Sequence, residues 1–256
     1  PDEAHPAVRQ SLIDIDAVAG DLADAARASG RSVFVLSEYG ITPVERPVHI
    51  NRALRDAGLL TVREEDGGEL LDPIASRAFA LSDHQIAHVY VSDPELLRKV
   101  RSLIEVLPGV EHVYGGDEKR AIGLDHARSG ELVALADARS WFTYYYWNDD
   151  RRAPDFARTV EIHRKPGYDP VELFLDPAIT APKAAVGKRL LMRKLGFRTL
   201  MDVIPLDASL VRGSHGRITD KTEDGPLVIT DRRDLVNRDR IAATDIKDLL
   251  LDAVFK

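Results

Sequence analysis

A Gly-Ser-His-Gly tetrad, Gly213-Ser214-His215-Gly216, places an imidazole between small residues late in the chain. Glycine lets backbone approach a ligand closely, and neutral imidazole is the commonest metal-binding side chain. The tetrad equally suits a plain glycine-rich surface turn, so His215 needs partners before it means anything. One partner is Glu38, in Ser37-Glu38-Tyr39-Gly40 directly after an apolar run. A carboxylate beyond the carboxyl end of a strand is placed to hold a cation or a water, or simply to salt-bridge a loop. Two Asp-His pairs, Asp83-His84 and Asp125-His126, could each serve a metal where a turn points both side chains inward. Inside a strand they would face opposite sides. Asp83-His84 opens an apolar strand and is the better placed; Asp125-His126 precedes the hairpin-like Arg128-Ser129-Gly130-Glu131. In the basic loop His163-Arg164-Lys165-Pro166-Gly167-Tyr168-Asp169, Arg164 offers a phosphate a fork and Lys165 a point charge. A solvated turn is the alternative.

The elements that must position these groups follow from periodicity. Apolar residues at three- and four-residue steps predict a helix over 7–28, closed by Gly30, with His5 as a helix-entry residue beside Pro6. The run Ser32-Val33-Phe34-Val35-Leu36 reads as a strand buried on both faces, as inside a parallel sheet. Helices are expected at 48–57, 94–107, 183–195 and 244–255, and strands at 59–63 and 86–91, with short strands and turns over 110–136. Residues 138–202 differ: the aromatic run Trp141-Phe142-Thr143-Tyr144-Tyr145-Tyr146-Trp147 is followed by Asn148-Asp149-Asp150-Arg151-Arg152 and scattered prolines. This predicts packed irregular structure, with the aromatics more naturally core than ligand box.

At 256 residues the chain can bury a substantial core. Its net charge of −7 argues against a nucleic-acid polymer as main partner. No apolar run reaches the roughly 18 residues of a membrane span, and no basic-then-apolar leader opens the sequence. No membrane partner is therefore expected, and cytoplasm is the default location. With no cysteine, any metal site must use His, Asp, Glu or Tyr.

Taken in order, the helix at 8–28, Val35-Leu36-Ser37-Glu38-Tyr39-Gly40, Gly213-Ser214-His215-Gly216 and Pro226-Leu227-Val228-Ile229 resemble the type I phosphodiesterase/nucleotide pyrophosphatase family of the alkaline phosphatase superfamily. The runs from Ser82 to Val91 and from Ile162 to Pro170 resemble a bacterial branch of it. The resemblance covers this chain but only the C-terminal portion of a family member. It implies an α/β fold, a mostly parallel sheet flanked by helices, with 1–137 and 203–256 forming the core and 138–202 an insertion or lid.

It also implies a hydrolase of phosphoric diesters or nucleotide pyrophosphates. Two divalent cations, zinc or alternatively manganese, would clamp the attacking and leaving oxygens. His215 and Glu38 would be metal ligands, with Asp83 and His84 in reserve. Arg164, Lys165 and Tyr39 would meet a small phosphate ester or nucleotide. The nucleophile and several ligands would lie upstream of Pro1, in a missing N-terminal part. Where the family has Ser-Asp-His-Gly, this sequence has Glu38 and Tyr39: an oxygen ligand of longer reach, and a phenol in place of a ring nitrogen. That exchange keeps two other readings open, a non-catalytic binding relative with a degenerate metal site and a phosphomutase or phosphonate hydrolase of the same superfamily.

Overall fold

The amphipathic period at the start is realised as helix α1 (Pro6–Ala28), whose N-cap, His5, accepts the Ala7 N–H on its ring. The computed structural model describes residues 5–236 and 238–255, so Pro1 lies outside the described residues. Strands β1 (Phe34–Leu36), β2 (Thr42–Pro43) and β3 (Arg46–Val48) lead to helix α2 (Ile50–Asp56). Two hairpins follow, β4 (Val62–Glu65) with β5 (Gly68–Leu71) and β6 (Ala78–Asp83) with β7 (Ile86–Val91). Helix α3 (Leu97–Glu105), β8 (Val110–Gly115), α4 (Asp117–Ala121), β9 (Leu132–Ala136) and β10 (Ser140–Phe142) come next. After a long irregular stretch come α5 (Pro182–Lys194), β11 (Gly213–Ser214), β12 (Val228–Thr230) and α6 (Ile246–Phe255).

The chain divides into two compact units, one of Ile41–Ile218 and one of Pro1–Gly40 with Thr219–Lys256. In the Ile41–Ile218 unit the largest sheet runs β6-β7-β9-β8, and every neighbouring pair in it is antiparallel. The fold mixes helices with strands as expected, but the mostly parallel sheet does not hold for it: among the described strands only β3 and β10 pair in parallel. The reason is local. Only His84 and Gln85 separate β6 from β7, and so short a link forces an antiparallel hairpin, whereas a parallel pair needs a crossover of about a dozen residues or more. Helices α2 and α3 cover this sheet with Ile50, Leu54, Val100 and Ile104, all fully buried.

The aromatic run is the heart of this core: Trp141, Phe142, Tyr144, Tyr145, Tyr146 and Trp147 are all buried. Asn51, also buried, ties it to the sheet, donating to the carbonyls of Ala80 and Tyr144 and accepting the Ala80 N–H at 2.7 Å. Buried Glu69 is met by Arg55, bidentate, and by Arg152 at 2.8 Å. The Arg55 hydrogen bonds foremost hold its carboxyl below the usual range, against the cost of burial.

The other unit pairs β1 with β12, antiparallel and two-stranded. The doubly buried strand expected at 32–36 is not found; Val35 and Leu36 are nearly half exposed. Its apolar run records what the strand is able to bury, while its only ladder partner among the described residues is another three-residue strand. Asp231 fastens the end of α1 to the strand, accepting Arg27 Nε and the Val33 N–H, both at 3.2 Å.

Candidate functional site

The two-residue turn between β6 and β7 holds His84 at φ +56, in the left-handed region that few non-glycine residues occupy. A turn of this kind usually takes glycine or asparagine, so a histidine here carries a backbone cost that its surroundings must offset. They do so from three sides. Phe142 donates its N–H to the His84 carbonyl at 2.7 Å, and the next amide, of Gln85, donates to the His215 carbonyl at 2.8 Å. The His84 ring lies between those of Tyr168 (centroids 4.8 Å apart, stacked) and His215 (3.9 Å, tilted by 36°). Ser214 Oγ stands 3.4 Å from His84 Nδ1.

Each wall has a local cause. β11 pairs with β2 and buries Ser214, so the tetrad enters as a short strand and turns only after it, delivering His215 to the hairpin. Tyr168 arrives because Gly167 passes against β6: a side chain there would place its Cβ 2.1 Å from the Ser82 carbonyl oxygen, and φ is +122. Tyr168 then donates its N–H to that same oxygen at 2.8 Å. The structure thus brings together His215 and the reserve pair. Asp83 reaches His84 Nε2 at 3.9 Å from a largely exposed position. Burial first, then the neighbouring His215, lowers the His84 pKa to about 4 against the opposing pull of Asp83, so the ring is neutral at pH 7.

The other predicted residues are placed differently. Glu38 and Tyr39 are exposed in the smaller unit, where Ser37 bonds Leu227 through both its N–H and its hydroxyl. Arg164 is half-exposed, paired with Asp155 at 2.8 Å and lying over the Phe156 ring. Lys165 is not open to a phosphate: its ammonium is enclosed by Asp169 at 2.9 Å and Glu172 at 2.7 Å, and it holds the loop together. Asp125 pairs with Arg120, and His126 accepts the Arg128 N–H, both within one surface turn. Among the described residues no group of three or more His, Asp or Glu converges to hold a metal ion. His84 and His215 meet as overlapping rings, and these residues alone do not fit a complete ion cage.

Sequence reading missed a second place. A cleft of about 1090 Å³ is lined by His49, Arg52, Tyr145, Asp150, Arg158 and Asp207 among others. His49 Nδ1 bonds Thr143 Oγ1 at 2.7 Å, and its pKa is lowered to about 4 by burial and then by Arg52. Arg52 donates Nε to the Trp147 carbonyl, pairs with Asp150 at 3.5 Å and lies over the Tyr145 ring. The available signal was His49-x-x-Arg52 at a helix start, which puts both residues on one face.

The family model for type I phosphodiesterase/nucleotide pyrophosphatase matches residues 1–169. Phosphonoacetate hydrolase from Sinorhizobium meliloti 1021, in complex with phosphonoformate, is 15% identical with a TM-score of 0.45, over 87% of this chain and 41% of that one. Murine ectonucleotide pyrophosphatase/phosphodiesterase 5 is 18% identical with a TM-score of 0.38, over 54% of this chain and 34% of that one. An inactive form of it in complex with AMP is 17% identical with a TM-score of 0.39, over 57% and 36%. The chain therefore spans less than half the length of these structures. No curated protein matches its sequence.

Proposed function

The chain belongs to the type I phosphodiesterase/nucleotide pyrophosphatase family, and from that premise we propose that it carries part of the site of a hydrolase of phosphoric diesters or nucleotide pyrophosphates. The observation that supports this best is His84, held at φ +56 against His215, a residue distant in sequence. Strained backbone that several contacts hold in place is characteristic of functional sites.

In this reading His84 and His215 present imidazole groups, and Asp83 a carboxylate, toward a phosphate ester or anhydride. Tyr168 fixes the plane of the His84 ring, and Ser214 sets which of its nitrogens takes part in a hydrogen bond. Arg164 meets the substrate phosphate, releasing Asp155. Glu38 and Tyr39 stand where the family has its Asp-His pair. The family is generally metal-dependent, and zinc or manganese suits His and carboxylate ligands. The described residues do not complete such a site, so no step is derived through an ion. The nucleophile and the remaining ligands are assigned to sequence outside these 256 residues.

Hydrolysis of bis(p-nitrophenyl) phosphate by this chain together with the upstream part that the reading assigns to it, measured with the metal content, tests the reading. His84→Ala and His215→Ala are each expected to lower turnover at least about 100-fold, the lower range for loss of one acid–base or electrostatic group. Turnover unchanged in both variants would remove the site from this turn. A second reading, a binding relative without catalysis, is favoured by Tyr39 in place of histidine and by the lack of a three-ligand group among the described residues. Nucleotide binding with neither metal nor turnover would establish it instead.

A further inference from the structure

Residues 182–200 invert the charge of the molecule around them. The chain carries −7, yet Lys183, Lys188, Arg189, Arg193, Lys194 and Arg198 fall in this stretch with no acid before Asp202. A surface helix normally turns its apolar stripe inward and its charges outward. Helix α5 turns large apolar side chains outward along with its charges. Val186 packs against the core and Arg189 pairs with Asp202, fixing that side. At 3.6 residues per turn, Leu191 and Leu195 lie on the opposite side, 57% and 66% exposed, with Lys188 and Lys194 at its borders. No residue of the helix is buried.

The helix end adds a third apolar group. Gly196, at φ +87, donates to the Arg193 carbonyl, and Phe197 donates to the Met192 carbonyl at 3.1 Å. This glycine-terminated turn stops the helix and leaves the Phe197 side chain 58% exposed.

We propose that α5 and Phe197 form a peripheral docking surface for an anionic lipid bilayer, a role separate from the hydrolase reading. Leucine and phenylalanine would enter the boundary between headgroups and acyl chains, while the long basic side chains reach lipid headgroups from the borders. A nucleic acid would engage the cations and leave three large apolar side chains in water. A protein groove that wraps a helix needs more of its circumference than α5 has free, since one side is committed to Val186 and the Arg189–Asp202 pair. The expectation of no membrane partner rested on the lack of a spanning run and of a basic-then-apolar leader. A helix lying in the interface needs neither, and among the described residues no helix is long and apolar enough to cross a membrane.

The test is cosedimentation of the 256-residue chain with vesicles of phosphatidylcholine alone and of phosphatidylcholine containing phosphatidylglycerol. Binding is expected only to the anionic vesicles, weakening as salt is raised. Lys188→Gln and Lys194→Gln should each weaken it about fivefold. Leu191→Glu with Leu195→Glu should abolish it, as should Phe197→Glu, which lies outside the helix and leaves its folding alone. All these positions are exposed, so thermal melting should match the parent. Equal binding to neutral vesicles, no binding to either kind, or anionic binding that survives both Glu variants would each overturn the proposal. Capture of a fluorescent oligonucleotide in place of vesicles would overturn it in favour of a nucleic-acid surface.

Discussion

Helices α1 and α2 point in opposite directions as lessons about burial. The first is 23 residues long with a regular apolar stripe, and none of its residues is buried. The second has seven residues and buries Ile50, Asn51 and Leu54. Periodicity makes a helix able to pack, but neighbours decide whether it does. In the Ile41–Ile218 unit those neighbours are a four-stranded sheet and the aromatic run; among its described residues the smaller unit has two strands of three residues each. Stability should therefore reside almost entirely in the larger unit.

The largest expected effect tests that claim through a charge. Lys165→Ala leaves Asp169 and Glu172 buried without their cation. It should cost about 3–5 kcal/mol in urea denaturation, against less than about 1 kcal/mol for Arg27→Ala, whose partners Asp24 and Asp231 lie at the surface of the smaller unit. Comparable losses would erase the contrast between the units. A paired core test follows: Leu54→Ala should cost about 2–5 kcal/mol, and Leu22→Ala, on the exposed stripe of α1, within about 0.5 kcal/mol.

Acid should act on the larger unit as well. His49 has a pKa of about 4 when folded and the ordinary 6.5 when unfolded. Its contribution is complete above pH 6.5 and is lost as pH falls toward 4, because the unfolded chain takes up a proton that the folded one refuses. The loss is on the order of 3 kcal/mol, and melting of His49→Gln followed against pH should be flatter over that window. A profile that does not change would place His49 in contact with water. A small effect on stability is expected at the hairpin turn. His84→Gly relieves φ +56 and gives up the ring stacking, so stability should move by less than about 1 kcal/mol, while on the proposed function turnover of bis(p-nitrophenyl) phosphate should fall at least about 100-fold. A large fall in melting temperature would make His84 a structural residue.

Local signals were legible in the sequence. The strand at 86–91 is β7 to the residue, and the helix expected at 183–195 is α5 at Pro182–Lys194. Both are set by period and by punctuating proline and glycine. What could not be read is which distant segments pair. His84 and His215 were each singled out, but nothing in their own neighbourhoods says that the tetrad turns back onto the hairpin. Lys165 looked like a surface cation because Asp169 and Glu172 enclose it only once the loop is folded over Tyr144. His49 drew no notice because its partners, Thr143 and Tyr145, are almost 100 residues away.

Two adjacent residues connect the two histidine places. Phe142 holds the carbonyl of His84, and Thr143, the next residue, holds the ring of His49 while its own N–H and C=O are taken by Val48 and Ser82. Two neighbouring residues thus brace both histidines at once, Phe142 through its N–H and Thr143 through its hydroxyl, so the aromatic run serves as scaffold for two places that share no ligand of their own.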